Sequence, residues 1–451
     1  MGMLGWKTGS GCSSFRKQST ERMIRMASKA LPVQPGKIHD AKITNLLFIT
    51  CWVTYFLSYM GRYNYSAAMV EIGADMGYTT SELGLIATVL FVTYGVGQVV
   101  GGIIGDYLRP RTMAFCGVAV SAVCNIIAGC SQNYGMLLVA WGFNGLAQSL
   151  IWLPILSLFA MYMPEQVMYK ACVNIQSSCA VGSCVTYVLT AGLVAVANWR
   201  IIFILAGVLL AAAAAWWQFT LRKVERYSEQ YGVRPEPVIG EPKGEAAPPK
   251  SMGVWKILMT SGAMVTLIPL ICMGILRDGV NTWVPEYAVT TFGASTSISI
   301  FLTAFLPLIN LCGVYIVPVL NKKISNEEHV AALMYLVSAV AVLALMLFGK
   351  INLILTIVLF AMVTSSMTGC NTALISLMPT AFARWGRTSS IGGIMNAATY
   401  VGSALSGYGI GLLAEKSGWG AAQILWLVVC VLSVVLCMII AAVWKKFKEQ
   451  K

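Results

Sequence analysis

Apolar runs of 18 or more residues recur along nearly the whole chain. Each is long enough, at about 1.5 Å of rise per helical residue, to cross the ~30 Å hydrocarbon core of a bilayer. Twelve spans are expected, near 43–70, 83–105, 112–130, 136–162, 169–196, 200–221, 257–285, 293–320, 329–349, 351–377, 388–414 and 419–444. A composition 57% hydrophobic and only 11% charged excludes an ordinary soluble globular protein. The expected fold class is an all-α, multi-pass membrane protein with the lipid bilayer as its solvent.

The gaps between spans alternate in charge. One set holds Glu71, Asp75 and Glu82, then little, then Arg200, Glu286, Lys350, and Glu415 with Lys416. The other set is basic: Arg109 and Arg111, Lys170, Arg222 to Lys250, Lys322 and Lys323, Arg384 and Arg387. The positive-inside rule places both termini in the cytoplasm, with the cell (inner) membrane as the expected location. It also accounts for the net charge of +13 as topology signals, so no nucleic-acid partner is expected. Most of the thirteen cysteines lie in apolar stretches, where a thiol behaves as a small hydrophobe. No CxxC or Cys/His cluster stands out, so neither metal nor cofactor is expected.

The gap 222–256 contains Pro235-Glu236-Pro237 and Gly244-Glu245-Ala246-Ala247-Pro248-Pro249, a linker composition. The expected organisation is a basic cytosolic tail 1–41, a six-span half 42–221, a cytosolic linker 222–256, a second half 257–444 and a basic tail 445–451. The halves read as repeats. Arg62 and Arg277 are 215 residues apart, as are Met163-Pro164 and Met378-Pro379. Val181-Gly182-Ser183 and Val401-Gly402-Ser403 are 220 apart, as are Trp199 and Trp419. One shift of five residues reconciles all four. Two six-span halves in one orientation are the architecture of a major facilitator, with a substrate site at the midplane between them.

Arg62 and Arg277 each sit inside an apolar span, at matching positions. A cation there costs about 2.5–3.5 kcal/mol even on the lenient insertion scale. The guanidinium is planar, permanently charged and bidentate toward phosphate or carboxylate oxygens. The pair is therefore read as holding an anion in a shared cavity. Tyrosine hydroxyls can bond the remaining anion oxygens. Asn64, Gln98, Asn174 and Asn396 are weaker candidates, since polar residues also join helices to each other. Asp278 could neutralise Arg277 or carry a coupling proton. In Gly102-Ile103-Ile104-Gly105-Asp106-Tyr107-Leu108-Arg109-Pro110-Arg111, an acid at a helix end beside bases fits a cytoplasmic latch, made in one access state and broken in the other. Gly102, Asp106, Arg109 and Arg111 are its candidate residues.

Arg277-Asp278-Gly279-Val280-Asn281-Thr282-Trp283-Val284-Pro285-Glu286-Tyr287 resembles the seventh span of the organophosphate/phosphate antiporters, which include glycerol-3-phosphate and hexose-phosphate transporters. Tyr55, Tyr59 and Arg62 resemble that family's first span, Tyr94 its second-span site tyrosine and Tyr400 its eleventh-span counterpart. The resemblance covers about 43–444 and implies the major facilitator fold. It also implies substrate contacts by Arg62, Arg277, Tyr59, Tyr94, Tyr55 and Tyr400. Two positions depart from it. Many relatives carry a lysine where this chain has Gln98, and the bacterial antiporters carry a fifth-span histidine that falls near Cys179. The expected function is secondary transport, not enzymatic catalysis. A monomer exchanges a phosphorylated organic anion for inorganic phosphate. A proton-coupled carboxylate or phosphonate symporter and a non-transporting sugar-phosphate sensor remain as alternatives.

Overall fold

The computed structural model describes residues 37–105, 108–231, 253–385 and 388–449. All regular structure among them is helical. The spans are α1 (Ala41–Met76), α2 (Thr80–Gly105), α3 (Pro110–Gly129), α4 (Tyr134–Tyr162), α5 (Glu165–Val196) and α6 (Arg200–Gln230) in the first half. The second half holds α7 (Ala263–Phe292), α8 (Thr296–Ile324), α9 (Glu327–Phe348), α10 (Leu353–Leu377), α11 (Thr388–Ser417) and α12 (Trp419–Glu449). Eleven of the twelve are long and apolar enough to cross a membrane. The other, α11, has the length, at 30 residues, but is richer in Gly, Ser and Thr, and several of its glycines lie at close contacts with α2 and α7.

Helix ends follow local chemistry. Asn133, Asn326 and Asn352 cap α4, α9 and α10 by accepting main-chain N–H bonds, as short polar side chains do at an N-terminus. The α1 helix ends at Gly77, in the left-handed region at φ 71°. Several boundaries differ from the expected ones. Helix α6 runs to Gln230, past the expected end at 221, and its Glu225 pairs there with Arg111 of α3. Lys256 belongs to a separate short helix, Val254–Ser261, cut off from α7 by Gly262 at φ 79°.

The duplication is visible in paired contacts. Gly182 of α5 lies where a Cβ would sit 2.6 Å from the Phe56 carbonyl of α1. Its counterpart Gly402 of α11 meets the Ile271 carbonyl of α7 in the same way, at 1.8 Å. The offsets are 220 on one helix and 215 on the other. The Trp199 indole donates to Asp75 at 3.0 Å, and the Trp419 indole donates to Thr290 at 2.8 Å. Here too the positions differ by 220 and 215. Small residues thus let α1 approach α5, and α7 approach α11, backbone to backbone.

Inside the first half, a buried amide cluster holds α1 against α3 and α4. Asn64 donates to Asn125 at 2.7 Å, and both Asn125 and Asn144 donate to the Gly61 carbonyl, at 3.1 and 2.9 Å. Ser121 donates to Asn144 at 2.6 Å. Interhelical bonds of this kind contribute about 0.6 kcal/mol each, up to ~1.7. Asn144→Leu breaks two of them and leaves partners unsatisfied. It should cost about 1–2 kcal/mol and lower the melting temperature of the purified protein by several degrees; an unchanged melting temperature would count against this network.

Candidate functional site

Between the halves lies one cavity of about 480 Å³, within the usual range for a small-molecule site. It draws on α1, α2, α4 and α5 from the first half and α7, α8, α10 and α11 from the second. Its far end is sealed near the α1–α2 turn. There Thr80 donates to Glu286 at 2.8 Å and the Ser81 N–H donates to Glu415 at 2.9 Å. About two turns further in, Thr88 donates to the Ala404 carbonyl and accepts from the Tyr408 N–H. Gly84 and Gly407 allow this approach: a Cβ on Gly84 would lie 2.5 Å from the Gly407 carbonyl. Gln176, Gly392 and Gly393 line the cavity toward the opposite end, the one from which α1 starts and at which α12 finishes.

Arg62, Arg277, Tyr55, Tyr59, Tyr94, Tyr400, Gln98 and Asp278 all line this cavity. The first helix brings three of them to one face by the 3.6-residue repeat: Tyr55, Tyr59 and Arg62 are four and three residues apart. Tyr55 meets Tyr59 edge-on at 5.2 Å and stacks on Trp152 of α4 at 5.0 Å. The Arg62 guanidinium lies 4.5 Å from the Tyr94 ring centre and 6.0 Å from that of Tyr400. Those two rings are 4.6 Å apart. One cation from the first half is thus faced by an aromatic from each half. Gln98 donates to the Ser149 carbonyl at 3.2 Å.

Arg277 is held differently. Its Nε and Nη2 donate to the two oxygens of Asp278 at 3.0 and 2.9 Å, and its Nη1 donates to Asn371 at 3.2 Å. Ser403 of α11 donates to Asp278 in turn. The bidentate pair favours the neutralising role for Asp278 over proton carriage. Asn371 and Ser403 were not legible as site residues, because each acts through a partner far away in sequence. Asn281, Asn310 and Asn396 add further amides to the wall.

One expectation requires correction. Asn64 does not line the cavity; it is fully buried in the amide cluster. Of the latch residues, Arg111 bonds Glu225 inside its own half and Arg109 is exposed. Gly102 lies in the last turn of α2, and Asp106 lies outside the described residues. The Arg111 pair ties α3 to α6 rather than one half to the other.

The sequence matches the model of the Major Facilitator Superfamily over residues 51–405. The chain belongs to this superfamily. Its fold is also that of a bacterial homologue of the human lysosomal transporter Spinster in an inward-facing, unoccupied conformation. The TM-score is 0.68 at 14% identity, over 91% of this chain and 98% of that one. A probable hexose phosphate transport protein of Chlamydia trachomatis is 31% identical over 108 residues, 24% of each chain. The membrane sensor protein UhpC of Salmonella typhimurium is 35% identical over 102 residues, 23% of each. The chain thus matches about a quarter of the length of these relatives. As a facilitator it follows the six-plus-six plan.

Proposed function

We propose that this facilitator exchanges a phosphorylated organic anion, of the sugar-phosphate or glycerol-phosphate kind, for inorganic phosphate by alternating access around Arg62 and Arg277. The observation that carries the reading is one cavity, sealed at one end, into which each half projects an arginine from the equivalent span. Anion binding between the two cations draws the halves together and lowers the barrier to switching; this is a ligand biasing two states through differential contacts. The basic loops put the end opposite the seal and both termini in the cytoplasm, in the cell's inner membrane. The similarity to a probable hexose phosphate transporter supports the substrate class.

The test is exchange of labelled inorganic phosphate across proteoliposomes, with candidate anions as competitors. Saturable exchange inhibited by sugar phosphates is the expected result. The similarity to a membrane sensor favours one other reading, in which the same cavity binds sugar phosphate and signals to a partner protein. Binding without flux would establish that reading. Absence of both would remove phosphorylated anions from consideration and turn attention to carboxylates driven by a proton gradient.

A further inference from the structure

We infer that the cavity selects an anion whose head group carries a single negative charge, and that Asp278 is the residue that sets this preference. The inference rests on the transport reading above and narrows its substrate class. Arg277 already presents Nε and Nη2 to a carboxylate, the same edge with which a guanidinium grips a phosphate dianion. Its remaining nitrogen faces Asn371. Asp278 cannot easily swing aside, because Ser403 holds it from α11 and it is only 4% exposed. Arg62 forms no ion pair among the described residues and packs against the rings of Tyr94 and Tyr400. Gln98, one helical turn beyond Tyr94, is neutral. Among the described residues, the charged ones lining the cavity are Arg62, Arg277 and Asp278, two positive charges and one negative, +1 in all.

A monoanion matches that charge. The second charge of a dianion would be desolvated with no unpaired cation to meet it, which is unfavourable in a low-dielectric site. The rest of the wall offers amides from Asn281, Asn310 and Asn396, beside the rings of Tyr59 and Trp152. Amides donate and accept to hydroxyls, and rings cover C–H faces. The fitting substrate is a hydroxylated organic body with a singly charged head: a phosphodiester, a singly protonated phosphate monoester or phosphonate, or a sulfonate. Inorganic phosphate would enter as its monoanion.

Two probes of fixed charge separate the cases without changing pH: dimethyl phosphate, singly charged, and sulfate, doubly charged. Each is titrated against labelled inorganic phosphate bound to the purified full-length protein in equilibrium dialysis. Dimethyl phosphate should displace phosphate at least about tenfold more effectively than sulfate, equivalent to ~1.4 kcal/mol. Asp278→Asn should erase or invert that ratio. Gln98→Lys, which adds a cation without touching the ion pair, should move it the same way if Asp278→Asn does not fold. Sulfate equal to or better than dimethyl phosphate on the wild type overturns the inference and leaves phosphate exchange standing. A ratio unchanged in the folded Asp278→Asn variant also overturns it. If labelled phosphate does not bind at all, the transport reading fails and takes this inference with it.

Discussion

Arg62→Lys is expected to reduce phosphate exchange by about a hundredfold, ~2.7 kcal/mol of lost stabilisation. The substitution keeps the charge, so the loss measures geometry. Lysine presents a compact, strongly hydrated ammonium in place of a planar fork. It also gives up stacking against Tyr94, now 4.5 Å from the guanidinium carbon, and the contact with Tyr400. Arg62 is the cavity-lining cation with no carboxylate partner among the described residues, so little else there can replace it. Arg277→Lys should lose less, about tenfold, because Asp278 and Asn371 already engage that side chain. Initial rates of labelled phosphate uptake into phosphate-loaded proteoliposomes give the comparison, with reconstituted protein quantified. Exchange by Arg62→Lys within threefold of wild type would remove this arginine from the substrate site.

Gly407→Val should abolish exchange while leaving the protein folded. A Cβ at this position would sit 2.4 Å from the Thr88 hydroxyl and 3.0 Å from the Gly84 carbonyl. Neither neighbour can yield, since Thr88 is bonded to α11 twice and Gly84 contributes main chain. The clash lies between halves, so it penalises the state in which this end is sealed, not the fold of either half. A bias of about 5.5 kcal/mol is enough to carry a two-state equilibrium from 1:99 to 99:1. A valine forced against backbone in a packed contact costs several kcal/mol. Spin labels at Thr79 and Lys416, both exposed beside the seal, should report longer separations in the variant than in the wild type. Unchanged separations with normal exchange would show that the seal tolerates a side chain and does not need two glycines in register.

Both arginines could be read from the sequence because their cost is local: a cation in an apolar span is conspicuous wherever it points. The duplication was equally legible, since equal offsets need no structure, and the paired contacts of Gly182 and Gly402 give those offsets a mechanical cause. Asn64 misled because polarity was weighed without direction. At about 100° per residue, Asn64 lies some 200° around α1 from Arg62, so the two cannot serve the same face. That much was available in the sequence. The grip on Arg277 was not. Neighbouring residues on a helix ordinarily diverge, and Asp278 is turned toward Arg277 with help from Ser403, 125 residues away in the chain. Asn371 was hidden by the apolar character of its span. Arg111 bonds Glu225, on an extension of α6 that the linker composition concealed, while Asp106, the acid the sequence offered beside it, lies outside the described residues.

Helix α10 changes geometry immediately after Asn371. Residues Thr372–Leu377 form a π-helical turn, and Ile375 and Ser376 within it line the cavity. A π turn holds one more residue per turn than its surroundings, and such turns recur at functional sites. If the extra residue migrated or was reabsorbed, everything beyond it would rotate by about 100° while the part preceding it stayed still. The helix thus contains a screw joint just past the residue that steadies Arg277. Such a shift would revolve the end past Leu377 and turn Ser376 out of the cavity without any tilt of the span through the bilayer.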